Sequence, residues 1–195
     1  MNIIGRPLGF DPDIALESAM QSFWRHGYEA CSMQNLLEAT GLSKSSIYKT
    51  FGGKHALFAK CLSLYQQRSA TRMTSLLAQA PSGMSFLRQV FTAVNDDAKD
   101  GQPKGCFVMN TASELGQSDP EIARMVEESL ALFKSVFRDA VERAQAEGSI
   151  SISKNPDDLA IYLVTCMGGL RTMVKAGSNK ESIEQTIEIM LGALA

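Results

Sequence analysis

Between Ser43 and Phe51 the chain carries Lys44, Ser45, Ser46, Tyr48, Lys49 and Thr50, side chains that end in an ammonium or a hydroxyl, and Ile47 is the one plainly apolar residue among them. A helix with so little to bury makes sense when its outward face meets something polar and charged. Ammonium and hydroxyl groups donate to phosphate oxygens and base edges, and such a helix fits the major groove of DNA. Enzyme chemistry finds less support. The two histidines, His26 and His55, flank this stretch, and neither has a Ser or Cys nucleophile and a carboxylate arranged as a triad. No Gly-rich phosphate loop follows a strand, and no HExxH or His/Cys cluster has metal-ligand spacing, so no catalytic residue, metal or cofactor is expected. Adjacent acidic pairs, Glu127-Glu128 and Asp157-Asp158, point apart on a helix and read as solvated faces.

The elements that must hold these side chains are helical throughout. Ser32 caps a helix whose Met33, Leu36 and Leu37 share one face; Gly41 breaks it, and Ser43 caps a second, short helix through Thr50. The outline is a helix-turn-helix. Upstream, Asp11-Pro12-Asp13 starts a helix with the stripe Leu16, Ala19, Met20, Phe23 and Trp24, and Gly27 ends it. His26, at that helix end, is expected beside the dipole or packed on Tyr28. Downstream, residues 54–79 read as one long helix with Leu57, Cys61, Leu64 and Tyr65 inward and Arg68 and Arg72 outward. A helix over residues 85–98 carries Phe86, Leu87, Val90, Phe91 and Val94, followed by a loop to Lys104 and a short helix from Gly105 to Leu115. Asp119-Pro120-Glu121 opens a long helix that Gly148 closes.

Asn155-Pro156-Asp157 opens a helix that is apolar almost all round, and such a helix must be covered on two sides. With the last helix, residues 180–194, its simplest cover is the same pair from a second copy, a four-helix bundle in which Gly168 and Gly169 permit close approach. The expected dimer interface is Ile161, Val164, Gly168, Arg171, Ile183, Ile187, Met190 and Leu191. Nothing reads as a strand. The expected fold is all-α: a three-helix head with an N-terminal arm over residues 1–53, and a larger helical domain over residues 54–195.

Composition sets limits on partners and compartment. The 195 residues carry a net charge of -2, against a protein that coats nucleic acid indiscriminately. Residues 1–60 hold six Lys/Arg and five Asp/Glu, a balance of +1 that leaves -3 for the remainder. Specific binding would therefore come from a few well-placed basic groups and helix N-termini, doubled by dimerisation. No apolar run spans a bilayer and the start has no signal-peptide core, so a cytoplasmic protein without membrane contact is expected. Cys31, Cys61, Cys106 and Cys166 form no CxxC pair and are expected as reduced thiols.

The stretch from Phe23-Trp24-Arg25-His26-Gly27-Tyr28-Glu29-Ala30 through Leu42-Ser43-Lys44-Ser45-Ser46-Ile47-Tyr48-Lys49-Thr50-Phe51 to Lys54-His55-Ala56-Leu57-Phe58 resembles the head of the TetR/AcrR family of bacterial transcriptional regulators. The resemblance covers about the first 60 residues, with only loose likeness beyond. It implies that Lys44, Ser45 and Ser46 face the groove, that Tyr48 and Lys49 contact backbone or base edges, and that Thr50 and Ser32 meet phosphates. Lys54, at the next helix start, suits a phosphate oxygen as well. Gly5-Arg6-Pro7 resembles the minor-groove core of AT-hook peptides, so Arg6 is a candidate arm contact. Gly52-Gly53 departs from the family, which more often has polar residues there, and implies a looser turn.

By the same resemblance the chain is a regulator, in all expectation a repressor. It would bind double-stranded DNA at a near-palindromic operator as a homodimer, and a small-molecule or thiol-reactive signal would release it. The helix over residues 54–79 would be the coupling rod. The candidate ligand pocket draws on Phe86, Phe91, Cys106, Phe107, Met109, Met125, Phe133, Tyr162 and Met167, aromatic and thioether side chains suited to an apolar cavity. Cys106 follows Lys104-Gly105 at a helix start, where amide dipoles and a nearby ammonium favour a reactive thiolate. It is the candidate sensor of oxidants, electrophiles or metals; burial beside Phe107 and Met109 is the competing reading. The competing function is a helical dimeric binding module without operator recognition.

Overall fold

In the computed structural model, residues 10–98 and 103–194 are described, with backbone alone for residues 96–98. Arg6 lies outside the described residues. Every regular element among the described residues is helical, and the chain divides into two compact units between Leu64 and Tyr65.

The first unit holds α1 (Pro12–His26), α2 (Met33–Thr40), α3 (Lys44–Phe51) and the start of α4 (Lys54–Gln79). Local chemistry sets the ends. The Asp11 carboxylate accepts from the Asp13 amide at 2.8 Å with Pro12 in the first turn, and Gly27, at φ 83°, turns the chain out of α1. The unit's core is aromatic and aliphatic: Phe23 meets Phe58 edge-on at 5.0 Å, Tyr28 meets Phe58 at 4.9 Å, and Leu36, Ile47, Leu57 and Leu62 are fully buried. Edge-to-face rings add to area burial and hold the packing angle of α1 and α4.

The second unit holds the rest of α4, then α5 (Gly83–Thr92), a 3-10 segment (Ala93–Ala98), α6 (Phe107–Leu115), α7 (Pro120–Ala146), α8 (Pro156–Lys175) and α9 (Lys180–Gly192). Several boundaries differ from the sequence reading: α6 starts at Phe107 rather than Gly105, α9 ends at Gly192 rather than residue 194, and α5 differs at both ends. Ser82 accepts from the Ser85 amide and so starts α5 at Gly83, and the expected single helix over residues 85–98 tightens into 3-10 geometry from Ala93.

The far end of α4 is fixed by a polar joint. Arg143 of α7 donates to the carbonyls of Leu77 (2.8 Å), Ala80 (2.9 Å) and Pro81 (3.1 Å), and pairs with Glu147, whose other oxygen accepts from the Gly83 amide at 2.8 Å. Carbonyls orphaned at the end of one helix and an amide orphaned at the start of the next are thus satisfied by one ion pair.

Phe91 stacks on Phe137 at 5.8 Å in the core of this unit, with Phe86 beside it. The apolar girth of α8 is covered largely within the chain: Ala160, Leu163, Leu170 and Val174 share one core with Ile183, Ile187, Met190 and Leu191 of α9. This corrects the expected interface, because those four α9 side chains are only 2, 2, 7 and 2% exposed and cannot also face a second copy. Helical period identifies an apolar face without naming its neighbour. The large apolar side chains left exposed on α8 and α9 are Ile161, Met173 and Ile189, and Thr165 and Gly169 are exposed between the first two on α8.

Candidate nucleic-acid interface

The turn before α3 is built from its own side chains. Thr40 donates its hydroxyl to the Leu36 carbonyl at 2.6 Å and accepts from the Leu42 amide at 3.3 Å, and Gly41 takes the left-handed conformation at φ 68°. Ser43 then caps α3, accepting from the Ser46 amide at 3.1 Å.

Ile47 and Phe51 anchor one side of α3 in the core, which leaves the opposite side facing out. Lys44, Ser45, Tyr48 and Lys49 are exposed, and Ser46 and Thr50 half-buried. Tyr48 is 53% exposed, so it is no core aromatic supporting Phe51. Its ring lies against Gly53, where an added Cβ would come within 3.2 Å of it. Gly52 and Gly53 hold φ of 90° and 111°, and Gly53 is buried, so the looser turn expected here is instead a close packing of backbone against the Tyr48 ring.

Ser32 is exposed and forms a capping box with Asn35: its hydroxyl accepts from the Asn35 amide at 3.1 Å, and its amide donates to the Asn35 side chain at 2.9 Å. The Lys54 ammonium stands 4.5 Å over the Tyr28 ring, a cation–π contact that pins its direction at the start of α4. His26 pairs through Nδ1 with the Ser22 carbonyl at 2.9 Å, one turn back on α1. Six of the nine residues expected to meet DNA thus share α3, Ser32 and Lys54 lie at neighbouring helix starts, and Arg6 is outside the described residues.

The second unit holds a cavity of about 140 Å³ that is partly open to solvent, lined from α4, α5, the 3-10 segment, α6, α7 and α8. Of the expected pocket residues, Cys106, Met109, Phe133 and Met167 line it. Phe86, Phe91 and Phe107 are buried in packing, and Met125 and Tyr162 lie elsewhere; Tyr162 donates to the Met190 carbonyl at 3.3 Å. Val164, Gly168 and Arg171, expected at the dimer interface, line the cavity instead. Gly168 admits Met109, whose Cε would lie 2.8 Å from an added Cβ, whereas Gly169 is exposed with open space at that position. Tyr65, Ser69, Arg72, Met73 and Leu76 of α4 were missed as lining residues. Their helical spacing on from Tyr65 was the available signal.

Cys106 is the N-cap residue of α6, half-buried, and accepts from the Tyr65 hydroxyl at 3.7 Å. Burial pushes the Tyr65 phenol up, with the sulfur beside it acting in the same direction. Burial likewise pushes the Cys31, Cys61 and Cys166 thiols up, which disfavours the reactive thiolate at all three. Among the described residues no cluster of His, Cys, Asp and Glu could hold a metal, and no helix is long and apolar enough to cross a membrane.

Known proteins share both units. Residues 15–61 match the family described as bacterial regulatory proteins, tetR family, and residues 83–190 match the tetracyclin repressor-like C-terminal domain. The HTH-type transcriptional repressor ComR of Escherichia coli is 32% identical over 183 residues, covering 93% of this chain and 87% of that protein. The uncharacterized regulator YezE of Bacillus subtilis is 27% identical, covering 98% and 100%. A cysteine-substituted form of the TetR family regulator CifR, solved with 26bp double-strand operator DNA, is 29% identical with a TM-score of 0.84, covering 98% of this chain and 100% of that one. These relatives are regulators rather than enzymes. With a helix-turn-helix whose second helix is bare on its outer face, and with matches that together span most of its length, this chain belongs to the TetR family of bacterial transcriptional regulators.

Proposed function

We propose that the chain is a repressor that binds a near-palindromic operator as a homodimer, with residues 1–53 as arm and DNA-binding head and residues 54–195 as effector-binding and dimerisation domain. The observation that carries this is the α3 surface, where Lys44, Ser45, Tyr48 and Lys49 are exposed while Ile47 and Phe51 hold the helix from behind. Ser46, Thr50, Ser32 and Lys54 add hydroxyl and ammonium donors at its flanks, and Arg6 is the candidate arm contact. Two copies would pair through the exposed apolar side chains of α8 and α9, Ile161, Met173 and Ile189, with Thr165 and Gly169 on α8, and present two recognition helices about 34–36 Å apart, one turn of DNA.

Release follows from differential affinity. An effector in the cavity, or modification of Cys106 at its wall, stabilises a conformer with lower DNA affinity, and the coupling equals the difference in its binding to the two states. The element that would transmit it is α4, which runs unbroken from Lys54 to Gln79. Support for a thiol-reactive signal is that Cys106 is half-buried on the cavity wall beside the Tyr65 hydroxyl.

An electrophoretic shift with DNA upstream of the chain's own gene tests the reading. A discrete, salt-sensitive shift that scrambled DNA of equal length does not compete is expected. Equal competition by scrambled DNA would replace the repressor with a helical module lacking operator recognition.

A further inference from the structure

The lining of the 140 Å³ cavity has an uneven charge. Its walls are mostly apolar, with Met73, Leu76, Met109, Leu130, Phe133 and Met167 among them, yet it includes Arg72 and Arg171 and no Asp or Glu. Arg72 lies on α4 seven residues beyond Tyr65, and Arg171 on α8 seven residues beyond Val164, each on the cavity-facing stripe of its helix. Arg72 is exposed and so belongs to the cavity's solvent side, and no hydrogen bond or ion pair among the described residues involves it. Arg171 is half-buried. Its charge reaches the Tyr65 phenol, whose ionised form it favours against burial. Ser69, three residues before Arg72 on α4, adds a hydroxyl to the lining.

We infer that the effector is an amphipathic monoanion, an aliphatic or aromatic carboxylate whose apolar body packs on the methionine, leucine and phenylalanine wall and whose head meets the Arg72 and Arg171 guanidinium groups. The inference rests on the effector-responsive reading above and names the ligand's class. Guanidinium is the side chain best matched to a planar carboxylate, through paired parallel hydrogen bonds. Apolar walls lower the local dielectric and exclude water, which strengthens that contact and penalises a ligand with no charge to offer. Size agrees with the class: a water needs roughly 10–15 Å³ of such space, so the cavity holds a ligand of about ten heavy atoms. Octanoate and phenylacetate are of that size. An anion bound there would also draw α4 and α8 to one shared ligand, and α4 is the helix that continues toward the recognition element.

The test uses the full-length chain and two matched pairs of probes, sodium octanoate with octanamide and sodium phenylacetate with phenylacetamide. Binding is followed by calorimetry, and operator release by fluorescence anisotropy of labelled upstream DNA. The acids are expected to bind at least about tenfold more tightly than their amides, the margin of one charge-assisted contact, and to release DNA in the same order. Arg72→Gln, at an exposed position that leaves folding intact, is expected to erase most of that preference. Arg171→Gln should do the same while Arg171→Lys retains part of it. Acids and amides binding alike would overturn the anion assignment and leave an effector site standing. No binding by any of the four, with the DNA shift intact, would overturn this cavity as the effector site. Loss of specific DNA binding in the wild type without any probe would instead contradict the regulator reading.

Discussion

Lys44 and Tyr48 stand on the exposed side of α3, and the regulator reading makes opposite demands on them and on the glycine behind. Lys44→Ala should weaken operator binding about tenfold and lower the slope of log affinity against log salt by about one counterion per protomer, read by anisotropy across a salt series. Gly53→Ala should weaken both folding and binding without touching DNA, because φ of 111° strains any Cβ and the Tyr48 ring blocks it at 3.2 Å. The cost is about 1–3 kcal/mol, measurable by urea denaturation. Thiol chemistry gives a separate prediction: at neutral pH a maleimide should modify Cys106 in the native chain and leave Cys31 and Cys61 unmodified, since those two are fully buried. Mass spectrometry of digests reads this directly. At this scale the polar recognition residues were legible in sequence, because a helix with only Ile47 to bury advertises its outer face. Gly53 was not, since its role depends on a ring that tertiary packing lays across it. Arg72 looked like an outward residue; its position on the cavity stripe emerges only when the other walls are in place.

Among the elements, α5 depends on a close approach that only glycine allows. A Cβ at Gly83 would lie 2.7 Å from the Ala144 amide nitrogen of α7 and would clash with the Ala140 carbonyl, so Gly83→Ala must push α5 off α7. Overpacking of this kind costs about 1–3 kcal/mol, and a lower Tm by calorimetry is expected. The neighbouring joint predicts a similar loss. Arg143→Ala strips the α4 terminal carbonyls of their donors and leaves Glu147 without its guanidinium partner, and breaking charge-assisted contacts that are only about one-third exposed costs about 1.5–3 kcal/mol. The starts of α1, α7 and α8 were well read from sequence, because Asp11-Pro12, Asp119-Pro120 and Asn155-Pro156 cap through atoms a few bonds away. The shift to 3-10 geometry at Ala93 and the Arg143 joint were not, because both depend on neighbours far along the chain.

For the whole molecule, the regulator reading requires two copies. The apolar positions of α9 gave the presence of a buried face correctly but assigned it to a partner, when Ile183, Ile187, Met190 and Leu191 close the chain's own core. The exposed apolar side chains on α8 and α9 are fewer: Ile161 at 52%, Met173 at 53% and Ile189 at 74% exposed, with Thr165 and Gly169 also exposed on α8. Ile161→Glu with Ile189→Glu should therefore yield a folded monomer by sedimentation that no longer gives a discrete operator shift. Central to everything is the claim that the bare side of α3 enters the DNA, and the most direct measurement is a hydroxyl-radical footprint on upstream DNA with wild type and the Lys44→Ala, Tyr48→Ala double variant. Two protected patches about one helical turn apart for wild type, lost in the variant while its circular dichroism and sedimentation are unchanged, are predicted; unchanged protection in the variant would contradict the assignment.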